Sequence, residues 1–571
     1  MHGIISRLSG RVSVKGVVIV LTVCVLLYLI VVPIGFLIYG SFSTGQPGSP
    51  GHLTTSAYSR ILSDGGTYSL IGRSLIYGLG SALVALIVGG SFAWFIQRTD
   101  IYGRRVASFL ALFPLFIPSV LSTLAWVLLL DNRIGVINLW LENLFGLHSA
   151  PFNVLSLPGM IWVCGISQAP LTFLWLLPAF AAMDPSLEEA AALSGKSTWQ
   201  VIRTITLPML RPALLGAYVI SLVLCLEDIT VPILIGLPAG VNVFSAEIYT
   251  LVTQVPSDAT SASVYSLVLM VITFALAVTY RRLTSREERF YLVRGRGYRP
   301  SVIKLGRWRW PTTVAMYLAL FVIVGLPLLV MIWTSLTPYV EVPSLSGFHH
   351  LTAASYRLLF TDSTVQGGLE HSATLGIVSA AVVMALALIA GWVITRSRYR
   401  MRNALDFLLF APIAIPGLVT GLSLMWVYLQ LPVPVYGTLT ILGIAYVTRF
   451  IAYGARLVGT GFGRLHPELD EAAALSGAGW FRSLRTISIP LLAPTIMAAA
   501  VYVFIRSFTE LSASLLLFSY NTEPYSVAAF NIWSGGVTGE TAAYGVVGIT
   551  VMIVVIILGQ VITRKRFLTS I

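Results

Sequence analysis

Charge, cysteine and histidine are all scarce in this sequence. Charged residues make up 10% of the 571 residues and hydrophobic residues 56%, and the mean hydropathy is +0.85. Soluble domains carry about 25% charged residues, so this composition excludes a soluble domain and indicates a protein that lies in lipid. The three cysteines, Cys24, Cys164 and Cys225, fall in apolar stretches without the spacing of a disulfide or metal site. The seven histidines lack metal-ligand spacing too, which leaves a membrane-bound enzyme without support.

Long apolar stretches recur throughout the chain. A helix needs about 20 apolar residues to cross about 30 Å of hydrocarbon, and the sequence contains twelve stretches of that kind. They lie near residues 17–39, 70–96, 106–130, 157–181, 209–236, 262–280, 311–334, 372–394, 405–429, 437–459, 493–517 and 541–562. The sequence therefore predicts an all-α, polytopic membrane protein of about 12 transmembrane helices.

The net charge of +13 raises the question of a nucleic-acid partner, and the distribution of the basic residues answers it. Lys and Arg cluster before the first predicted span, after the second, around residues 281–309, and after the twelfth. The alternate loops carry few, with Arg60, Arg133 and Arg357 the clear cases. This positive-inside pattern predicts that both termini lie in the cytoplasm. The basic excess thus reflects membrane topology, and we expect no nucleic-acid partner.

One short polar signature occurs twice, 282 positions apart. Residues 188–195 read EEAAALSG and residues 470–477 read DEAAALSG, and each copy is followed, after nine residues, by a block that ends in Pro208 or Pro490. Tryptophan, arginine and proline residues upstream also match, at an offset of 298. An even number of predicted spans separates the copies, so the halves share one orientation. This is a parallel repeat, with a pseudo-twofold axis expected along the membrane normal.

The repeat divides the chain into three segments. Residues 1–280 form the first six-span repeat, residues 311–571 form the second, and residues 281–310 join them. The joining segment is rich in arginine and lacks a sustained apolar period, which is typical of a cytoplasmic linker near anionic headgroups. Trp308 and Trp310 are expected to anchor it at the interface. A passive tether is the expected role, and a regulatory role is the alternative.

The duplicated signature resembles the EAA loop of ABC importer permeases, which docks into a separate ATPase subunit. The loops correspond to residues 188–208 and 470–490. The resemblance implies the type I ABC importer permease fold, and it assigns ATPase coupling to the acidic, alanine and glycine positions of each copy. These are Glu188, Glu189, Ala190, Ala191, Gly195, Asp470, Glu471, Ala472, Ala473 and Gly477. Acidic residues that begin an alanine-rich stretch favour a helix, and glycine ends it where the chain must turn.

Partner proteins follow from the same resemblance. Gly195-Lys196-Ser197 looks like the end of a phosphate-binding loop, but Ala190 stands where that motif needs a glycine, and no strand precedes it. We therefore expect no enzymatic activity and no cofactor in this chain. ATP and Mg would be bound by partner ATPase subunits, two copies of one subunit because the two loops are so alike. An extracytoplasmic solute-binding protein and the bacterial cytoplasmic membrane complete the expected assembly.

Acidic residues occur inside two predicted spans, where such residues are costly and usually functional or paired. Glu227 and Asp228 lie in the fifth span and Glu510 in the eleventh, and Asp228 aligns with Glu510 at the offset of 282. The aligned residues lie 20 positions beyond the proline of each loop, or roughly 30 Å of helix, toward the outer part of the expected pathway. Two roles stay open: lining the solute pathway, or structural pairing such as Glu510 with Arg506.

The sequence around these residues resembles the fused permeases of the ferric-iron importer family over essentially the whole chain. Residues 226–238 and 510–517 carry the resemblance. Thiamine and aminoethylphosphonate permeases share this twelve-span layout. Carboxylates suit a hard cation, so the resemblance implies import of ferric iron, with thiamine, aminoethylphosphonate or a polyamine as alternatives. A secondary transporter is the alternative from another class, because such proteins also use repeats and intramembrane carboxylates; the paired loops argue against it.

Overall fold

The structure is all-helical over the residues that it describes. The computed structural model describes residues 14–181, 183, 188, 190–191, 193–284, 302–344, 346–397 and 402–563. Within these ranges, extended pairing is limited to two isolated bridges, between Ser43 and Leu53 and between Thr99 and Ile303. The prediction of an all-α membrane fold is confirmed.

The first half supplies helices α1 to α11. They are α1 (Val14–Phe42), α2 (Ser56–Ser63), α3 (Gly65–Arg98), α4 (Arg104–Leu112), α5 (Ser119–Leu130), α6 (Val136–Phe145), α7 (Leu157–Ala181), α8 (Thr198–Val201), α9 (Leu207–Glu227), α10 (Phe244–Thr253) and α11 (Ala259–Thr284). A π-helical turn at Ile202–Thr206 joins α8 to α9, so the helix is continuous from Trp199 to Glu227.

The second half supplies helices α12 to α24. They are α12 (Arg309–Leu320), α13 (Leu326–Leu336), α14 (Ala354–Leu359), α15 (Ser363–Arg396), α16 (Arg402–Phe410), α17 (Gly417–Gln430), α18 (Leu439–Arg464), α19 (Glu468–Leu475), α20 (Trp480–Ser483), α21 (Ile489–Phe508), α22 (Ser514–Leu517), α23 (Tyr525–Ser534) and α24 (Thr538–Thr563). A π-helical turn at Leu484–Ser488 joins α20 to α21, as the turn at Ile202–Thr206 joins α8 to α9 in the first half.

Ten helices of the described chain are long and apolar enough to span a membrane, and two further candidates are bent pairs. α4 and α5 meet at 103°, and α16 and α17 meet at 105°. α3 and α7 run parallel, because a Cβ on Gly80 would touch Ile161 and a Cβ on Gly89 would touch Ala169. α15 and α18 run parallel in the same way. Two parallel spans need a return crossing between them, so each bent pair crosses once and the chain spans twelve times, as predicted.

Proline sets the bend in both halves. Pro118 and Pro416 stand at the N-caps of α5 and α17. Ile117 and Ile415 before them have extended backbone angles, which is the conformation that a following proline imposes. Each third span therefore ends one helix and starts another in a new direction.

The first span of each half packs against the other half. α1 lies against α17, where the hydroxyl groups of Tyr28 and Tyr428 are 3.0 Å apart. Reciprocally, α13 packs against α5 and α12 against α4, where the Tyr317 hydroxyl donates to the Gly103 carbonyl at 3.0 Å. This exchange ties the halves into one body and leaves the ends of α9 and α21 facing each other near its centre.

The described part of the linker lies against the end of α3. Arg309 Nε is 3.5 Å from Asp100 Oδ2. The two tryptophans of this segment are 61% and 66% exposed, and their role as interfacial anchors stays a prediction. Residues 285–301 lie outside the described residues, so the choice between tether and regulator, and the division into three segments, stay predictions.

Glycine at the α3–α7 contact provides a test of this packing. A Cβ at Gly89 would lie 2.4 Å from the Ala169 carbonyl oxygen, whereas a Cβ at Gly72 meets nothing within 4 Å. We expect Gly89→Val to lower the free energy of unfolding by about 1–3 kcal/mol through overpacking, and Gly72→Val, the matched control, to change it much less. Thermal melting of the detergent-solubilised protein measures both. A Gly89 variant that melts with the parent protein would contradict the parallel α3–α7 contact.

Candidate functional site

The fifth span of each half is broken at the same place. α9 ends at Glu227, and its counterpart α21 ends at Phe508. Each break leaves backbone N–H groups without an intrahelical acceptor, at a depth where water cannot be relied on to satisfy them. The carboxylates of Asp228 and Glu510 supply acceptors at these two breaks.

The two aligned carboxylates cap the helical turns that follow the breaks. Asp228 Oδ2 accepts hydrogen bonds from the Val231 N–H at 3.1 Å and the Tyr77 hydroxyl at 3.2 Å. The Glu510 carboxylate accepts from two backbone N–H groups at 3.0 and 3.2 Å and from the Ser514 hydroxyl at 2.7 Å. The alignment predicted from the repeat therefore corresponds to one capping role present twice.

A single arginine connects the two halves at this level. Arg449, in α18, places Nη1 3.0 Å from Glu510 Oε1 and Nη2 3.4 Å from Glu227 Oε1. The three side chains are at most 10% exposed, and such charges are tolerated only as a compensated group. Of the two roles left open, structural pairing occurs, but Glu510 pairs with Arg449 and not with Arg506, because α21 ends at Phe508 and the i,i+4 helical relation is lost. The role of Glu510 in a solute pathway stays a prediction.

Sequence reasoning missed Arg449, although a signal was present. It is a cation inside the predicted span 437–459, and the rule that singled out Glu510 applies to it equally. Its partners could not be read from spacing, because Glu227 is 222 residues away. Glycine makes room for the guanidinium: a Cβ on Gly417 would lie 1.2 Å from Arg449 Nη1.

A cavity of about 110 Å³ lies beside this charged cluster. The bend between α4 and α5, the middle of α7 and the break after α9 form one wall, and α18 and the end of α21 form the other. The cavity is bordered by Glu227, Asp228, Arg449, Arg506 and Glu510. The three residues predicted to line a pathway thus meet at one central space with walls from both halves.

The charges around the cavity do not follow the repeat. The capping carboxylates are present in both halves, but other aligned positions differ in charge. These pairs are Ser167 with Arg449, Leu224 with Arg506 and Glu227 with Thr509. The second half therefore contributes both guanidinium groups, while the first half contributes hydroxyl groups and an additional carboxylate. A solute in this cavity would meet two different faces.

At one end of the bundle, the first acidic residue of each duplicated signature is held by an arginine that ends the second span. Glu188 forms a salt bridge with the fully buried Arg98 and accepts a hydrogen bond from the Thr206 hydroxyl at 2.7 Å. Asp470 Oδ2 lies 3.6 Å from Arg396 Nε. Both acidic groups thus attach the signature to its own half.

The remaining part of each signature has an open face. Among the residues assigned to ATPase coupling, Ala190, Glu471 and Ala472 have exposed side chains, while Ala191 and Ala473 are buried. Leu193 and Leu475 are 89% and 91% exposed. Glu189 lies outside the described residues. The open face of each signature thus combines small side chains with one exposed leucine.

Glycine ends both signatures with the same turn. Gly195 and Gly477 have φ of +83° and +75°, in the left-handed region. The N–H groups of the residues that follow donate to the carbonyl groups of Ala191 at 3.2 Å and Ala473 at 2.9 Å, which closes a helix C-terminal motif. Any other residue is strained in this conformation. The identical spacing in the sequence therefore corresponds to identical local structure.

Comparison with known families gives one match that covers both halves. The family described as "Binding-protein-dependent transport system inner membrane component" matches residues 99–289 and 383–566. The first range covers most of the first repeat and the start of the joining segment, and the second range lies in the second repeat. Each range contains one copy of the duplicated signature and one broken fifth span.

Several individual proteins are similar to this chain. The ferric transport system permease protein FbpB of Actinobacillus pleuropneumoniae is 25% identical over 94% of this chain and 76% of its own length. The putative ferric transport system permease protein FbpB 1 of Haemophilus influenzae is 27% identical over 82% and 73%, respectively. The putative 2-aminoethylphosphonate transport system permease protein PhnV of Salmonella typhimurium is 25% identical over 34% and 73%. Among solved structures, a bacterial ABC transporter that imports alginate matches 50% of this chain and 98% of its own chain at 14% identity and a TM-score of 0.37.

Removal of the central arginine tests its role in stability. In Arg449→Gln, Glu227 and Glu510 lose their shared cation at a buried site, so we expect the free energy of unfolding to fall by about 3–5 kcal/mol. The exposed Arg456 lies on the same helix over the Phe410 ring, and Arg456→Gln should cost at most about 1 kcal/mol. Melting temperatures in detergent measure both changes.

A second variant shows whether uncompensated charge is the cause. Adding Glu227→Gln and Glu510→Gln to Arg449→Gln removes both unpaired carboxylates and should recover part of the lost stability. A triple variant that is no more stable than the single variant would contradict this explanation.

Proposed function

Since this chain belongs to the family of inner-membrane components of binding-protein-dependent transport systems and is an ABC importer permease, we propose that it imports ferric iron. An extracytoplasmic binding protein would deliver the solute. The solute would then pass between the two repeats, through the central cavity. Two copies of an ATPase subunit would supply the energy by binding at the paired signature helices, with ATP and Mg bound in those subunits.

The observation that carries the coupling part of the proposal is the duplicated surface at one end of the bundle. In both copies an acidic residue is anchored inward, by Arg98 or Arg396, while a leucine and an alanine face outward. Two equivalent surfaces suit two copies of one partner subunit. A secondary transporter has no use for such a pair, which favours the importer over that alternative.

The continuity of the helices favours coupling between this end and the cavity. Trp199–Glu227 and Trp480–Phe508 are each a single helix of 29 residues, or roughly 40 Å at 1.5 Å per residue. Each helix begins just after a signature and ends at a broken fifth span. A partner that moves the signatures would therefore move the walls of the cavity.

Ferric iron is favoured as the solute by two considerations. The relatives similar to most of this chain are described as ferric transport permeases, and three carboxylates border the cavity, which suits a hard cation. Aminoethylphosphonate is the second candidate, since PhnV is similar over part of the chain. Thiamine and polyamines are further alternatives.

The positive-inside distribution supports an arrangement in which both termini and both signatures lie in the cytoplasm of a bacterium. The signatures lie at the same end of the bundle as Arg281, which pairs with Asp406 at 2.6 Å. Cysteines introduced at Ser194 and Ser476 should be labelled by a membrane-impermeant thiol reagent only from the cytoplasmic side. A cysteine at Gly146, at the opposite end of the third span, should be labelled only from outside; the reverse result would overturn the proposed orientation.

Coupling is tested by changing the two signature glycines. Because both need positive φ, Gly195→Val with Gly477→Val should distort both turns and reduce ATP-driven uptake in proteoliposomes at least about tenfold. Gly240→Val is the matched control: Gly240 also has positive φ (+68°) and open space around it but lies outside both signatures. The double variant should remain folded in detergent yet lose association with the ATPase. Full association and uptake in the double variant would refute the coupling role.

The solute is tested directly by reconstitution. Proteoliposomes that contain this chain and its ATPase should accumulate radioactive ferric iron from the loaded binding protein. Accumulation should require ATP on the side of the membrane where the ATPase is bound. Thiamine, putrescine and 2-aminoethylphosphonate serve as competing solutes. Uptake of one of these instead of iron would replace the proposed solute, and uptake without any ATPase would favour the secondary transporter.

A further inference from the structure

One arginine at the cavity forms no hydrogen bond or salt bridge within the described part of the chain, although its charge attracts the Glu227 carboxylate. Arg506 borders the cavity and is partly exposed to it, but no described residue offers it a hydrogen bond or a salt bridge. The carboxylates nearby are engaged elsewhere. Glu510 is occupied by Arg449 and by the groups that it caps, and Asp228 caps its own helical turn. Glu227 is held by Arg449 through one oxygen.

Other hydrogen-bond donors around the cavity also lack acceptors. The Thr123 hydroxyl is buried without a partner among the described residues. The side chains of Ser122, Gln168 and Ser512 border the cavity, and no described group accepts from them. Buried polar groups are nearly always satisfied by protein, water or ligand. These hydroxyl and amide groups can donate as well as accept, so together with the Arg506 guanidinium they can form a set of donors to an oxygen-rich anion.

The repeat shows that the fold itself does not require this charge. The position equivalent to Arg506 in the first half is Leu224, which occupies the same helical turn before the break. A cation inside a span is costly, and such a residue is by default part of a functional site. The extra charge of the second half thus has no counterpart in the structural frame that the two halves share.

We propose that the Arg506 guanidinium binds an oxyanion group, a carboxylate, phosphate or phosphonate, of the species that crosses the membrane. The planar guanidinium can hold two such oxygens at once, and the hydroxyl and amide groups opposite it complete the donor set. The cavity of about 110 Å³ far exceeds the roughly 10–15 Å³ that one water needs. Glu227, on the other wall, faces the cationic part of the same solute.

This inference rests on the proposed function and narrows it. A ferric ion would enter the cavity together with an oxyanion ligand rather than as a bare ion. A phosphonate solute would bring the oxyanion as part of its own structure. In both cases the Arg506 guanidinium binds an oxyanion group. Inorganic phosphate and 2-aminoethylphosphonate serve as the probes that distinguish the two sources.

The binding test uses the full-length chain in detergent. Inorganic phosphate and 2-aminoethylphosphonate are titrated at constant ionic strength, with chloride as the balancing anion, and the melting temperature is followed. We expect Arg506→Gln to weaken phosphate binding roughly tenfold to a hundredfold and Arg506→Lys to weaken it less. Arg456→Gln, a span arginine away from the cavity, should bind as the parent does. A parent protein without a phosphate-dependent shift, or an Arg506→Gln variant that binds normally, overturns the proposal.

A double variant separates oxyanion binding from simple charge balance. If Arg506 only offsets the excess of carboxylates, then Glu227→Gln combined with Arg506→Gln takes up solute in the reconstituted importer at least as well as Glu227→Gln alone, and the proposal fails. If Arg506 binds the solute, the double variant stays at least about tenfold below Glu227→Gln alone. Tighter binding of 2-aminoethylphosphonate than of phosphate alone would identify a phosphonate solute, whereas phosphate-dependent ferric iron uptake would identify a ligand of the metal.

Failure of the proposed function gives a different result. In that case the parent shows no ATP-driven uptake of iron. The parent still binds phosphate, and the Arg506→Gln variant still fails to bind it. Iron uptake that is independent of Arg506, in a protein whose phosphate binding is absent, leaves the importer in place and removes the oxyanion site.

Discussion

The compensation of buried charge at the centre of the bundle is the constraint on which the rest of this structure depends. Two broken helices meet there, and each break exposes backbone N–H groups that lipid cannot satisfy. Carboxylates satisfy these groups, but they introduce negative charge into the same region. Arg449 then offsets two of the carboxylates, Glu227 and Glu510, from opposite halves. The position of the Arg449 guanidinium in turn requires glycine at residue 417, because any side chain there would overlap it.

The molecule combines a symmetric frame with an asymmetric centre. Proline bends, π-helical turns, signature glycines and capping carboxylates occur in both halves at equivalent positions. These features determine backbone direction, so both repeats need them. The charged groups at the cavity differ between the halves, and under the proposed function each wall would contact a different part of one solute. The duplicated residues thus determine the backbone of both halves, and the residues that differ determine the charges at the cavity.

Distance is the second constraint, because the signatures and the cavity lie at opposite ends of the same long helices. The α8–α9 and α20–α21 helices are continuous through their π-helical turns. The signatures that precede them are attached to the second span of each half by the salt bridge between Arg98 and Glu188 and by the contact of Arg396 with Asp470. A rigid helix transmits displacement along its axis, which gives the proposed ATPase partners a mechanical route to the cavity.

The sequence by itself determined the class of fold, the number of crossings, the duplication and the positions of both signatures. These properties depend on hydropathy and on local spacing, which are linear in the chain. The alignment of Asp228 with Glu510 was likewise accessible, because the repeat preserves its offset. Only the tertiary structure decided that Glu510 pairs with Arg449 rather than Arg506, and that Glu227 shares the same cation. The reason is physical: charge pairing in lipid is governed by distance through space, and the helix end at Phe508 breaks the relation between spacing along the chain and proximity.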